Sequence, residues 1–589
     1  MLQALVNVAL MASIVMALHA KISVVAGKDS HLYWLLVLFA WRYIRFFVNL
    51  VAFWCYTPSP KPKKPLYIPS RDVTCVIPTV DPEGAGFRET LTSCSFNRPA
   101  KIIVVTVGDE LLGKTQSIVG EFAKKNPDIQ YIVERTQVAN KRTQVARAVP
   151  HIDTDITVLL DDHVYWGPKF LQTMLYPFQD PRVGLVGTNK RVRRHPGLGL
   201  RGSIWNMLGA TYLYRHNFEI RATNTVDGGV FVISGRTCGI RTEILKHKEF
   251  LPGYTNERFL LGLFGPLNAD DDNYVTRFVV RHGWDIKVQY TEDTVMLTDI
   301  GVEEPLEWKF LGQCRRWVRT TWRSNTASLI TDRTVWRRQP YCVYAVYLTS
   351  LTNFALFTDG GLLWLFGHSS WCTSSRRLYA LALWILLTKT VKVFDYFRRN
   401  PRDIPLFPVY VLFAYFHSLI KLYTLFTFYR TDWGGRCLDQ LNVNNTNHPS
   451  SSPSDSGSDS NPTTSSPTSP ATAAYLSAQH PHIAAIRAMR KRIEMLRAKQ
   501  AAHAAGYQKS LLAELPQLRD ALEALRKEHE NVRENDMQVR AALKEVLDMA
   551  AEVSKLMTTD GGQSAAESEM QKTVEGLQQT MQRMEGSWK

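Results

Sequence analysis

The sequence predicts an α/β domain with a doubly wound sheet, set between N- and C-terminal membrane helices and followed by a helical coiled-coil tail. Three observations carry that reading. Short β-branched runs alternate with helical stretches between about residues 70 and 335. Long apolar segments stand on both sides of that region. Beyond a Ser/Pro-rich stretch, apolar residues recur by threes and fours through the rest of the 589-residue chain.

The N-terminal membrane helices occupy 1–56. Residues 2–18 carry no charge, and no basic stretch precedes them as in a signal peptide, so a retained helix is expected. Residues 31–56 are long enough to span a bilayer and rich in Trp, Phe and Tyr. Arg42 and Arg45 lie inside this segment and must face protein or water, or the segment is partly interfacial. The Pro- and Lys-rich exit at 57–65, with Lys61, Lys63 and Lys64, puts the next domain on the cytosolic side.

Residues 57–335 form the soluble domain. Runs at 73–77, 102–107, 129–133 and 156–160 read as buried parallel strands, with helices at 111–125 and 143–148 between them. In such sheets ligands bind beyond the carboxyl ends of the strands. The second membrane region, 336–435, holds about three apolar segments, at 341–367, 378–397 and 404–429. Asp359-Gly360-Gly361 is expected to interrupt the first, and Lys389, Lys392 and Asp395 crowd the end of the second. Residues 436–475 are too polar to bury a core and read as a disordered linker. In the tail, 476–589, Leu515, Leu518, Leu522, Leu525, Val532, Val539, Leu543, Val546, Val553 and Met557 lie on a heptad seam. A homo-oligomer formed through a coiled coil is the expectation; a helical hairpin or single amphipathic helix is the alternative.

The net charge of +16 points to anionic partners such as phosphates and lipid headgroups. The positive residues sit beside apolar segments rather than in one aromatic-interleaved patch, which argues against nucleic acid. Eight scattered cysteines without a C-x-x-C pair argue against a disulfide scaffold and a Cys-rich zinc module.

Four stretches carry candidate chemistry. Thr79 and Asp81 follow the first strand, where a nucleoside would sit, although an ordinary strand exit reads the same way. Asp161, Asp162 and His163 follow the fourth strand. Consecutive polar side chains there are costly unless they bind something. Asp161 and His163 point the same way in extended chain, and their donor atoms suit Mg²⁺ or Mn²⁺. The plain alternative is a capped loop. Asp270, Asp271 and Asp272 open a helical run, which electrostatics favours in any case. Functionally, one of them is a general base for a hydroxyl nucleophile, its pKa raised by its neighbours. Gln313 to Trp317 lies in a helical stretch rich in Trp and Arg. Arg suits a diphosphate and Trp a sugar face; an amphipathic helix on headgroups fits too. The Arg191–Arg194 run is expected at the headgroups.

Together these motifs resemble the processive family 2 glycosyltransferases (the cellulose, chitin and hyaluronan synthases), and most of all a fungal polysaccharide-synthase group related to the hyaluronan synthases. The resemblance covers about residues 1–435. Its most specific element is Gln313-x-x-Arg316-Trp317, standing in order behind a D-x-D-like site and an acidic pair and ahead of membrane segments. It implies a GT-A-type fold. It places Thr79, Asp81 and Asp109 on the nucleoside, and Lys141, Asp162 and Arg316 on the rest of the donor. Asp161 and His163 would hold Mg²⁺ or Mn²⁺, with His where the family usually has Asp. Asp272, with Asp271 beside it, would be the base, and Gln313 and Trp317 would hold the acceptor. A literal Thr291-Glu292-Asp293 also looks like the family's acidic motif. It stands only 20 residues before Gln313, whereas Asp272 stands 41 before it, with room for a helix, a strand and a loop.

The function implied is a multi-pass membrane enzyme, in the plasma membrane with a cytosolic catalytic domain. It would polymerise sugar from a UDP-sugar and extrude the growing polysaccharide through the bilayer. Thr349, Thr352, Asn353, Thr358 and Asp359 are candidates to line the path. Transfer to a lipid acceptor, or an inactive scaffold acting through the coiled coil, are the alternatives.

Overall fold

The computed structural model describes residues 2–431, apart from Pro196, Leu261 and Glu304. The linker and the coiled-coil tail lie outside the described residues. The chain opens with α1 (Leu2–Ala26) and α2 (Ser30–Cys55). Asp29 starts α2 by accepting the Leu32 N–H at 2.9 Å.

The soluble domain then alternates as expected: β1 (Val73–Pro78), α3 (Ala85–Phe96), β2 (Lys101–Val107), α4 (Gly108–Lys125), β3 (Gln130–Thr136), α5 (Lys141–Ala148) and β4 (Ile156–Leu160). Every residue of β1, β2 and β4 is buried. The pleat sends Val76, Ile103 and Val105 to one apolar cluster and Cys75, Ile77, Ile102 and Val104 to the other. These four strands are parallel.

Beyond β4 the sheet departs from the doubly wound parallel expectation. Next come β5 (Val164–Trp166), β6 (Val183–Val192) and the 29-residue α6 (Gly199–Asp227). They are followed by β7 (Thr237–Arg241), α7 (Asp271–Arg281), β8 (Asp285–Gln289), β9 (Val295–Thr298) and α8 (Leu306–Thr326). The order is β3-β2-β1-β4-β7-β6-β9-β5, with β8 also on β6. Strand β7 runs antiparallel to both β4 and β6. It returns after the long α6 rather than through a standard crossover, so the sheet is mixed.

The membrane-side elements end in α9 (Ala355–His368), α10 (Ser375–Val391) and α11 (Phe407–Phe426). Among the described residues three helices are long and apolar enough to cross a membrane: Leu2–Ala26, Ser30–Cys55 and Pro401–Phe426. The other expected spans are not continuous helices of that kind. The first breaks at Asn353, whose backbone is extended, not at Asp359-Gly360-Gly361, which lies inside α9. Lys421 of α11 donates to the carbonyls of Ser350 and Asn353 (2.9 Å), satisfying groups the break frees. The second is the 17-residue α10.

The two arginines of α2 face protein. Arg42 pairs with Asp359 at 2.7 Å, which Lys389 also meets at 2.8 Å. Arg45 pairs at 2.9 Å with Glu219 of α6. The Arg191–Arg194 run is also used internally: Arg191 on Glu292, Arg193 on Asp299 and Glu89, Arg194 on Asp403.

Candidate active site

A cavity of about 270 Å³ opens where the carboxyl ends of β1 and β4 meet α6, α7 and α8. Thr79, Lys141, Asp161, Asp162, His163, Asp271, Asp272, Gln313, Arg316 and Trp317 all line it. These side chains come from stretches up to 238 residues apart in the chain.

Lys141 is the hub. It opens α5 behind the N-cap Asn140, whose side chain accepts the Arg142 N–H. Its Nζ donates to Asp161 Oδ1 (2.7 Å), the Gly235 carbonyl (3.0 Å) and Asp271 Oδ2 (3.1 Å). Burial pulls against its charge, but Asp161 and Asp271 outweigh burial and hold the ammonium well above its ordinary pKa. For Asp161 burial works upward, yet Lys141 and His163 bring its carboxyl below the usual value.

The neighbouring carboxylate of Asp162 is spent on local order. It accepts from Thr79 Oγ1 at 2.8 Å, and its other oxygen meets His163 Nδ1 at 2.9 Å. A carboxylate can only accept, so Nδ1 carries a proton toward Asp162 and Nε2 is the ring atom left to face a ligand. That carboxylate–imidazole pairing is how metal-binding histidines are oriented. Asp161 and His163 therefore fit a divalent cation, and their oxygen-plus-nitrogen set suits Mn²⁺ better than Mg²⁺.

Asp272 sits in the first turn of α7. Its carboxylate accepts the Gly235 N–H at 3.1 Å and the Asn273 N–H at 2.9 Å. Burial raises its pKa above the ordinary value, and Asp271 raises it further. Asp270, the left-handed N-cap (φ 65°), turns the other way and pairs with Arg323 of α8 at 2.7 Å, both side chains buried. It also accepts from Thr320. That pair ties α7, which carries Asp271 and Asp272, to the helix of Gln313, Arg316 and Trp317.

Trp317 packs against Tyr212 of α6, ring centroids 4.9 Å apart and planes tilted by 35°, with the Arg236 guanidinium 5.5 Å over its ring. Gln313, which also lines the cavity, has a buried Oε1 without a hydrogen-bond partner among the described residues. Two expected residues stand elsewhere. Asp81 is exposed at the rim, and Asp109 is exposed in the first turn of α4, paired with Arg135 at 3.0 Å. Neither lines the cavity. Glu292 and Asp293 do not line it either; Glu292 holds Arg191 and Arg399.

Sequence reasoning missed Gln144, Lys190, His216 and Arg236, all of which line the cavity. Gln144 donates to the Thr79 and Val105 carbonyls at 3.0 and 2.8 Å, fixing the end of β1. The signal available for Lys190 was a lysine inside an otherwise buried strand.

Residues 69–320 match the family model described as glycosyltransferase-like family 2. A type 2 glycosyltransferase of Gibberella zeae is 41% identical over 414 residues, which cover 69% of this chain and 76% of that protein. A hyaluronan synthase of Streptococcus pyogenes is 24% identical over 372 residues, covering 62% of this chain and 83% of that protein. Among solved structures, a mannosyltransferase of Pyrobaculum calidifontis in complex with GDP-mannose and Mn²⁺ aligns with a TM-score of 0.42 and 16% identity, covering 68% of this chain and 99% of that one. The chain belongs to glycosyltransferase family 2. It is a glycosyltransferase built on an α/β domain with a mixed sheet.

Proposed function

We propose that the protein is a multi-pass membrane enzyme that transfers sugar from a UDP-sugar with inversion and polymerises it into a polysaccharide that leaves through the bilayer. One observation carries the reading: Asp272, half-buried and raised in pKa, shares a cavity with the Lys141–Asp161 pair and with Trp317.

The donor lies over Thr79, Asp162 and Lys141, its diphosphate toward Arg316. A divalent cation held by Asp161 and His163 supplies neutralisation of the departing diphosphate. Asp272 accepts the proton of the acceptor hydroxyl. The acceptor oxygen forms the new bond to the anomeric carbon as the bond from that carbon to the diphosphate oxygen breaks, and UDP leaves with the bond's electrons. Trp317 holds the acceptor sugar by its apolar face, and Gln313 meets one of its hydroxyls. This division of labour lets positioning and electrostatics supply most of the rate.

Membranes carrying the full chain, given a panel of radiolabelled UDP-sugars, test the proposal. One sugar should enter a product of high mass. Label confined to a solvent-extractable lipid would replace polymer synthesis with transfer to a lipid. No incorporation from any UDP-sugar, with UDP failing to bind, would overturn the reading.

A further inference from the structure

The cavity holds cations that the donor's chemistry does not absorb. Its acidic side chains are largely matched: Asp161 and Asp271 by Lys141, Asp270 by Arg323, Asp299 by Arg193 and His195, Glu303 by Lys309. Lys190 and Arg236 have no carboxylate within ion-pairing distance among the described residues. Lys190 is 2% exposed. Its Nζ meets only His216 Nδ1, at 2.7 Å. Arg236 keeps a buried Nε without a hydrogen-bond partner.

Lys190 is held there on purpose-built backbone. Asn217 of α6 accepts its N–H at 3.2 Å and donates to its carbonyl at 2.7 Å, clamping β6 to α6 on both sides of the side chain. His216 stands one turn from Tyr212, the ring that packs against Trp317. The cluster therefore reaches the Trp317 platform, and at its other end the Arg236 carbonyl accepts the Asp161 N–H at 3.0 Å. A buried ammonium without a counter-ion is expensive, and such groups are kept where an anion arrives to meet them.

We propose that Lys190, with His216 and Arg236, forms an anion subsite beside Trp317, so that the acceptor carries a carboxylate or phosphate close to the hydroxyl that Asp272 activates. Burial, and then Arg236, pulls the Lys190 ammonium down to about 7. Burial and Lys190 keep His216 well below the ordinary imidazole value. An arriving oxyanion restores the missing charge balance. The inference rests on the reading of Trp317 as the acceptor platform and goes beyond it by naming the acceptor's chemical class. A uronate end of a sugar chain and the phosphate of a lipid carrier both supply that chemistry.

The test uses the full chain in detergent with UDP present. Binding is measured by titration calorimetry for three probes: p-nitrophenyl β-glucoside, its glucuronide and its 6-phosphate. A charged probe should bind about tenfold or more tighter than the glucoside, as a charge-assisted contact implies. The carboxylate or the phosphate as the tighter probe identifies the source. Lys190→Met removes the cation and His216→Glu supplies a built-in anion, so both should bring the ratio to near one. The second variant keeps the test decisive where the first does not fold. Equal binding of all three probes to the unmodified protein would overturn the proposal. So would a Lys190→Met protein that loses UDP affinity while keeping its preference for the charged probe, which would put the lysine on the donor. The probes report binding without turnover, so failure of UDP to bind would strike the proposed function and leave the subsite measurable.

Discussion

Replacing Asp272 by Asn separates chemistry from architecture. The change keeps one of the two oxygens that accept the Gly235 and Asn273 N–H groups, so the fold loses one hydrogen bond, worth about 1 kcal/mol. The base itself contributes about 10²–10⁴ in rate, or roughly 2.7–5.4 kcal/mol of barrier. The second effect is several times the first, so transfer should collapse while the protein stays folded. Product formation from the preferred UDP-sugar, UDP titration calorimetry and thermal unfolding measure the three quantities. Transfer within tenfold of the unmodified protein, or loss of UDP binding in a folded variant, would refute the assignment. The raised pKa of Asp272 adds a sign. Transfer requires the carboxylate, so the rate falls as pH drops through that pKa, and the acid limb lies above the position of an ordinary Asp. Asp271→Asn removes the neighbouring negative charge and leaves Lys141 less compensated. Both effects lower the pKa of Asp272, so the acid limb should move to lower pH; an unmoved or raised limb contradicts the coupling.

Trp317→Ala should raise the acceptor KM and depress transfer while donor hydrolysis to free sugar continues, read by UDP release with and without acceptor. Asp270→Asn leaves the buried Arg323 without its counter-charge, at about 3–5 kcal/mol, and should lower the Tm sharply; an unchanged melting profile rejects the α7–α8 tie. Chelator treatment should abolish transfer, with Mn²⁺ restoring it better than Mg²⁺ and His163→Ala erasing the difference. Asp293→Asn should leave transfer within a few-fold, checked in the same product assay, because this carboxylate stands outside the cavity.

The parallel half of the sheet was legible because its strands are buried on both faces, which writes the continuous apolar runs of β1, β2 and β4. The mixed half was not, because a strand's direction leaves no mark on its composition: β7, Thr237–Arg241, reads the same either way round. The candidate site was legible where a motif sits at a strand end or helix start. Asp161 and Asp272 were named from such positions and Lys141 from the family resemblance, and the structure puts all three on one cavity. Lys190 and His216 escaped because each lies inside a regular element, and only the pairing of β6 with α6 brings them together. Asp109 shows the converse: a carboxylate at the right strand end still turns to an exposed ion pair when an arginine, Arg135, stands on the next strand.

The arginines of α2 connect the two halves of the molecule. Charges in a membrane helix are retained where they meet partners, and here the partners lie on different bodies. Arg42 reaches Asp359 of α9, while Arg45, one turn nearer the soluble domain, reaches Glu219 of α6 and donates to Thr349 at 3.0 Å. Glu219 also takes Lys392 at 2.7 Å, so one carboxylate joins α2, α6 and the segment after α10. Helix α6 carries Tyr212 and His216 into the cavity on the same face. The ion pairs that look like an anomaly in an apolar segment therefore fix the height of the Trp317 platform relative to the membrane helices. In the polymerase proposed above, that height would decide whether the chain end, after each transfer, stands where the next acceptor hydroxyl must be.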